Sequence, residues 1–199
     1  MSVLIDPAVV SLPVDRWPMV SFCMAFAVQE VANGFPDLRT PVSLKWPNDV
    51  IVIGDGHPVA YRKLSGVLVE VSGGRLVVGV GVNLQRPAHI DPSLGVAASP
   101  VWLCELTNFP VERGAFAAAV LASFATGLDL LASSPGLLLD RYRTVLSTIG
   151  WLVGIESHGK TWTGEAVGLD AGGRLVVVND EGNHHVDASE VLHVRPVSP

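Results

Sequence analysis

A cation, an aromatic plane, a φ-locked turn and two short polar side chains stand in a row at Lys45-Trp46-Pro47-Asn48-Asp49. Pro47 holds Trp46 extended and stops the strand before it, so Asn48 and Asp49 project from a strand connection where a rigid scaffold can offer them to a ligand. An ordinary Pro-Asn-Asp turn beside a lysine has the same spacing, and spacing alone favours that reading. A second group, Arg62 to Glu70, reads RKLSGVLVE. Strict strand alternation places Lys63, Ser65, Val67 and Val69 on one face and Leu64, Gly66 and Leu68 on the other. A lysine in so apolar a strand is uncommon: buried near an anion it is a fixed positive charge, and at a strand edge it is a solvated gatekeeper. In the third group, Val78 to Asn83, two glycines and an asparagine share one face and three valines the other. Bare backbone at Gly79 and Gly81 admits either a flat ligand or a closely crossing helix, with the Asn83 amide at the end to read polar edges. No Gly-rich helix start follows, so this is not a dinucleotide-binding fingerprint.

These groups need strands to hold them, and the flanking pattern supplies strands. Ser2 to Ile5 opens the chain as a strand with nothing before it, an abrupt beginning that reads as cut. Asp15 to Asn33 has a helical pattern, with Asp15 as N-cap, Pro18 in the first turn and Gly34 as the stop. Its apolar residues run round most of the surface, which predicts burial on more than one side. Strands are expected at 42–46, 49–53, 59–71 and 76–84, the last two joined by a Ser-Gly-Gly-Arg turn at 72–75. A Pro-rich loop from Pro87 to Pro100 leads to helices at about 111–132 and 136–146, broken by Ser133-Ser134-Pro135. The uncharged run Ala115 to Leu128 is read as a buried helix, too short to span a bilayer. Beyond Thr148 short strands alternate with turn signals, as in a small β-barrel, and roughly 50 residues of that kind form a marginal core that must dock on what precedes it. The fold class expected is α+β: a mixed or antiparallel sheet with packed helices over residues 1–148, then the small barrel over 149–199.

Composition narrows the function classes. The 199 residues are 49% apolar and 16% charged, with net charge −6, and these values draw the chain toward neither nucleic acid nor an anionic membrane. Cys23 and Cys104 sit in apolar surroundings without zinc-site spacing and read as reduced thiols, so no metal ligands are assigned. No secretory signal opens the chain, which points to the cytoplasm. His184 and His185 fall on opposite faces of one strand and are read as exposed; His57 reads as a turn residue, and Glu156, Glu165 and Glu190 make no acid pair.

KWPNDV, RKLSGVLVE and VVGVGVNL, in this order and spacing, resemble the biotin protein ligase family. The resemblance runs on through WLVGIES, TWTGEAVGLDAGGRLVVV and EVLHVRP, which look like the SH3-like barrel closing its bacterial members. It implies a class II synthetase-like core and a two-step reaction. Biotin and MgATP give biotinyl-5′-adenylate and pyrophosphate, and the acyl group then passes to a lysine of a biotin carboxyl carrier domain. Lys63 would bridge the biotin carboxyl and the α-phosphate as the catalytic lysine. Gly66, Val67, Leu68 and Gly79 would line the biotin pocket with it. Lys45, Asn48, Asp49 and Asn83 would serve ATP and Mg2+, and Arg195 would reach the nucleotide, although a surface arginine at a strand end fits it equally.

The family's Ser/Thr-rich biotin segment and its GRGRxGR loop do not occur in these 199 residues. The expectation is therefore an N-terminally truncated ligase that is inactive or poorly soluble alone. The rival readings are a non-catalytic ligase-like binding protein or partner subunit, and a lipoate-type acyl ligase. Homodimerisation and an upstream DNA-binding domain are left open.

Overall fold

The computed structural model describes residues 1–54, 60–89, 99–157, 160–188 and 191–197, without the side chains of 157 and 191–195. His57 and Glu190 lie outside the described residues, as does the Arg195 side chain. The first part runs β1 (Ser2–Ile5), a 3-10 turn (Val14–Met19), α1 (Val20–Asn33), β2 (Val42–Lys45), β3 (Asp49–Ile53), β4 (Tyr61–Ser72), β5 (Arg75–Val82), α2 (Leu103–Leu106), α3 (Arg113–Ser133) and α4 (Pro135–Thr144). The second holds β6 (Leu152–Ser157), β7 (Lys160–Leu169), β8 (Leu175–Asn179), β9 (Gly182–Val186) and β10 (Val191–Pro196).

The expected α+β architecture is present, and among the described residues the ladders between named strands are antiparallel. The first sheet has the order β1-β5-β4-β3-β2. At the β4–β5 turn Gly73 and Gly74 both take positive φ, 56° and 74°, the left-handed pair that a two-residue hairpin with native twist requires. The helix expected from Asp15 starts later. Residues 14–19 form a 3-10 turn around Pro18, and Asp15 caps nothing, because proline lacks the N–H that an α-helical turn would use there.

Helix α1 is buried on both sides as its composition implies, between the sheet and α3. Gln29 and Asn33 donate to the Val42 carbonyl and Asn33 accepts from the Val42 N–H, tying the end of α1 to the start of β2. Where α1 and α3 cross, an added Cβ at Gly127 would meet Cys23 Cβ at 3.2 Å, so the missing side chain permits the approach. Burial pushes the Cys23 thiol up to about 12. Cys23 should consequently resist a thiol-specific disulfide reagent at pH 8 in the folded chain and react only on addition of denaturant, as absorbance of the released thiolate would record.

Helix α3 departs from expectation. It spans 21 residues, and by length and composition it is apolar enough to cross a membrane. Burial is confined to the stripe Phe116, Val120, Phe124, Leu128 and Leu131, while Ala115, Ala118, Ala119, Ala122 and Ala125 are exposed. Hydropathy overstates this helix because alanine is apolar but carries little surface to bury.

The C-terminal strands pair in the order β10-β6-β7-β8-β9, and among the described residues no β9–β10 ladder closes the expected barrel. This SH3-like sheet does dock on the first part. Arg143 Nη2 donates to the Leu169 carbonyl at 2.8 Å, Trp46 Nε1 to the Gly173 carbonyl at 3.0 Å, and Trp151 stacks on Tyr61 with ring centroids 6.1 Å apart.

Candidate anion-binding site

The site forms on the face of the first sheet opposite the helices, and a defect in the sheet creates it. Between β3 and β4 the register slips: Val50 pairs with Ser65, and Ile51 with Lys63, so Leu64 is an extra residue in a β-bulge. Strict alternation had set Lys63 on the face away from Gly66, and the bulge overturns that. An ideal Cβ on Gly66 would lie 2.8 Å from Lys63 Nζ, so the lysine lies directly over the glycine. Ser65, expected beside Lys63, instead turns into the interior at 2% exposure, where its hydroxyl has no hydrogen-bond partner.

The bulge frees backbone groups that would otherwise pair with β3, and distant residues satisfy them. The Lys63 N–H donates to the Ser99 carbonyl at 2.9 Å; the Lys63 carbonyl accepts from the Val101 N–H at 3.0 Å and from Asn83 Nδ2 at 3.1 Å. The Leu64 carbonyl accepts from the Asn83 N–H at 2.9 Å. Asn83, expected among the residues that serve the nucleotide, thus spends an amide N–H on fixing the lysine's backbone. The strap at Ser99–Val101 escaped sequence reasoning, since nothing local marks it as a partner of Lys63.

Asp49 sits between two lysines. Lys63 Nζ lies 2.5 Å from Asp49 Oδ1, and Lys45 Nζ 3.2 Å from Oδ2. Side-chain exposure separates the two cations: Lys45 is 7% exposed, Asp49 14% and Lys63 40%. An ion pair so accessible to water contributes only about 0–1 kcal/mol, so Lys63 can leave Asp49 for an incoming anion at small cost. Lys45 is the enclosed partner, held also by its position over the Tyr61 ring, 5.6 Å from the centroid. Two ammonium groups against one carboxylate favour an anion here, in a chain that is acidic as a whole.

The turn that carries Asp49 is gripped on every side. Trp46 is fully buried and belongs to the core, and its backbone N–H donates to Thr148 Oγ1 at 2.9 Å. The Trp46–Pro47 peptide is cis. Asn48 Nδ2 donates to the Val67 carbonyl at 2.6 Å, and the Val67 N–H returns a bond to the Asn48 carbonyl at 3.0 Å. Tyr142 OH reaches the Pro47 carbonyl at 3.4 Å, and its acidity is suppressed by burial and then by the charge of Asp49.

Beside the lysine lies a floor of bare backbone. Gly66 pairs with Gly81 and Leu68 with Gly79 across the β4–β5 ladder, which puts all four on the Lys63 face. An added Cβ at Gly81 would meet nothing within 4 Å, and at Gly79 only the Leu68 carbonyl at 3.7 Å. Leu68 is 60% exposed. Val67 points the other way, toward the helices, and presents only backbone to this face. Arg195 pairs with Gly154 through its backbone on β10. A separate cavity of about 770 Å3 opens on the helix side of β5, lined by Val80, Val82, Trp102, Phe116 and Val120, and Asn83 is the site residue that borders it.

Gly66→Ala tests the seat of the lysine. The new methyl would push against the end of a flexible side chain, so a stability change under about 1 kcal/mol is expected in urea unfolding. Lys63 would be lifted off Asp49, and affinity for an anion seated at the lysine should fall about tenfold, as titration calorimetry would read.

Residues 1–85 match the Biotin/lipoate A/B protein ligase family, and residues 148–194 match the Biotin protein ligase C terminal domain. A ligase-type α+β core bearing a lysine over a glycine floor, followed by this C-terminal domain, defines the class. The chain belongs to the biotin protein ligase family. It is 32% identical to the biotin--[acetyl-CoA-carboxylase] ligase of Mycobacterium tuberculosis over 94% of its own length and 66% of the relative's. It is 27% identical to the biotin--protein ligase of Schizosaccharomyces pombe, covering 89% of this chain and 30% of that one, so it spans less than two thirds of these relatives. In fold it resembles the biotin protein ligase of Aquifex aeolicus solved with biotin and ATP, with a TM-score of 0.80, 24% identity, and coverage of 98% and 77%.

Proposed function

We propose that the protein activates biotin with ATP and passes the biotinyl group to a lysine of a biotin carboxyl carrier domain. In the first step a biotin carboxylate oxygen bonds to the α-phosphorus and pyrophosphate leaves. In the second, the acceptor amine bonds to the acyl carbon and AMP leaves. A carboxylate approaching a phosphate meets like charge, so both reactants need a cation between them. The observation carrying this reading is Lys63, half-exposed above Gly66 and held by an ion pair it can exchange cheaply.

In this reading Gly66, Leu68 and Gly79 lie against the biotin ring system, with Val67 contributing backbone. Lys45, Asn48 and Asp49 face the nucleotide, Asn83 holds Lys63 in place, and Arg195 approaches the nucleotide from β10. Mg2+ fits as part of MgATP, held chiefly by the phosphates. Asp49 is the carboxylate within the described lysine cluster, and both of its oxygens are already paired. The reaction is assigned to the cytoplasm, and homodimerisation, readable as a sedimentation mass, belongs to the same proposal.

Incubating the purified chain with biotin, MgATP and labelled pyrophosphate tests the reading. Biotin-dependent entry of label into ATP supports a ligase. Binding of a non-hydrolysable biotinyl-adenylate analogue without exchange supports the non-catalytic reading. Neither exchange nor binding would remove both.

A further inference from the structure

We propose that Asp170, in the turn between β7 and β8, is a positioning residue for Asn48 and Asp49, acting through the Gly173 carbonyl and the Trp46 indole. The ligand involved, a nucleotide, rests on the function proposed above; the structural coupling does not.

The turn is built around one carboxylate. Asp170 Oδ1 accepts from the Gly172 N–H at 2.9 Å and the Arg174 N–H at 3.0 Å, while Oδ2 accepts from Arg174 Nε at 2.7 Å and faces His185 Nδ1 at 2.8 Å. Burial alone would raise the pKa of this carboxyl, but the His185 and Arg174 hydrogen bonds outweigh burial and hold it below the usual carboxylate range. The backbone closes the same loop, with Asp170 N–H on the Arg174 carbonyl and Gly173 N–H on the Asp170 carbonyl.

Gly173 at its tip cannot be another residue. Its φ is +81°, and a Cβ would lie 2.7 Å from Phe22 Cε2 and 3.1 Å from Met19 Cγ, so the turn is seated against α1. Its carbonyl accepts the Trp46 indole N–H at 3.0 Å. That N–H is fully buried, and a buried donor without an acceptor costs about 1–3 kcal/mol, so Trp46 follows the carbonyl if the turn moves. Asn48 and Asp49 follow Trp46 within one tight strand connection. The anion site is therefore aimed in part by a side chain of the other sheet.

Asp170→Asn keeps the shape but turns an acceptor toward Arg174 and His185 into a donor. In 1H–15N spectra of the whole chain, the Trp46 indole and the Asn48 and Asp49 amides should shift, and the ATP dissociation constant should rise about tenfold. His184→Ala, on the same sheet against Trp162 and Asn179, should change neither. Trp46→Phe removes the indole donor from the other end and should raise the ATP constant similarly. The double variant should then be no worse than either single one, and Trp46→Phe carries the test if Asp170→Asn does not fold. Shifts that stop at Gly172–Arg174, or additive losses, would overturn the inference. If the wild-type chain binds no ATP, the functional proposal falls, and the spectra alone decide the coupling.

Discussion

Lys63→Ala is expected to slow biotin-dependent pyrophosphate exchange roughly 10²–10³-fold, the loss typical of removing one preorganised group aimed at developing charge. Affinity for a non-reactive adenylate analogue should fall less, roughly 10- to 100-fold, because a ground-state contact to a charged group is a smaller quantity. The difference between the two losses is the informative part, since only interactions that strengthen at the transition state accelerate the step. Stability should hardly change. The side chain is 40% exposed, and Asp49 keeps Lys45 as its enclosed partner. Equal losses in exchange and in analogue binding would reduce Lys63 to a binding residue.

Trp46→Ala should have the largest effect on folding. Emptying a fully buried indole site costs about 3–5 kcal/mol, and the Gly173 carbonyl also loses its donor. That is a large share of the stability of a domain this size, so a substantially lower urea midpoint is expected, with broad amide changes in both sheets. A loss confined to ATP affinity, with the midpoint unmoved, would contradict the reading of Trp46 as core.

Much of this architecture is legible in sequence because local physics dictates it. The glycine pair at Gly73 and Gly74 marks the β4–β5 hairpin, and the all-round apolar pattern of α1 marks a buried helix. What escaped depends on distant partners. The bulge at Leu64 has no glycine or proline to announce it, and RKLSGVLVE read with strict alternation sends Lys63 to the wrong face. Only the strap at Ser99–Val101 and the Asn83 amide, which satisfy the freed backbone of Lys63, make the bulge affordable. Trp46 reads in the sequence as an aromatic plane within the polar row because Lys45 precedes it and Pro47, Asn48 and Asp49 follow. Its buried indole N–H is satisfied by a turn 127 residues further on. The three site segments were found by order and spacing, whereas the pairing of Asp49 with both lysines required the register of β2, β3 and β4.

The central claim is that an acyl-adenylate lies on the glycine face beneath Lys63. Titration of a non-hydrolysable biotinyl-5′-adenylate analogue into the 15N-labelled chain, followed by amide shifts, tests it most directly. Saturation at one site is predicted, with the shifts concentrated at Asp49, Lys63, Gly66, Gly79 and Gly81. Absence of saturation, or shifts confined to Val80, Val82, Trp102 and Phe116 around the helix-side cavity, would contradict it.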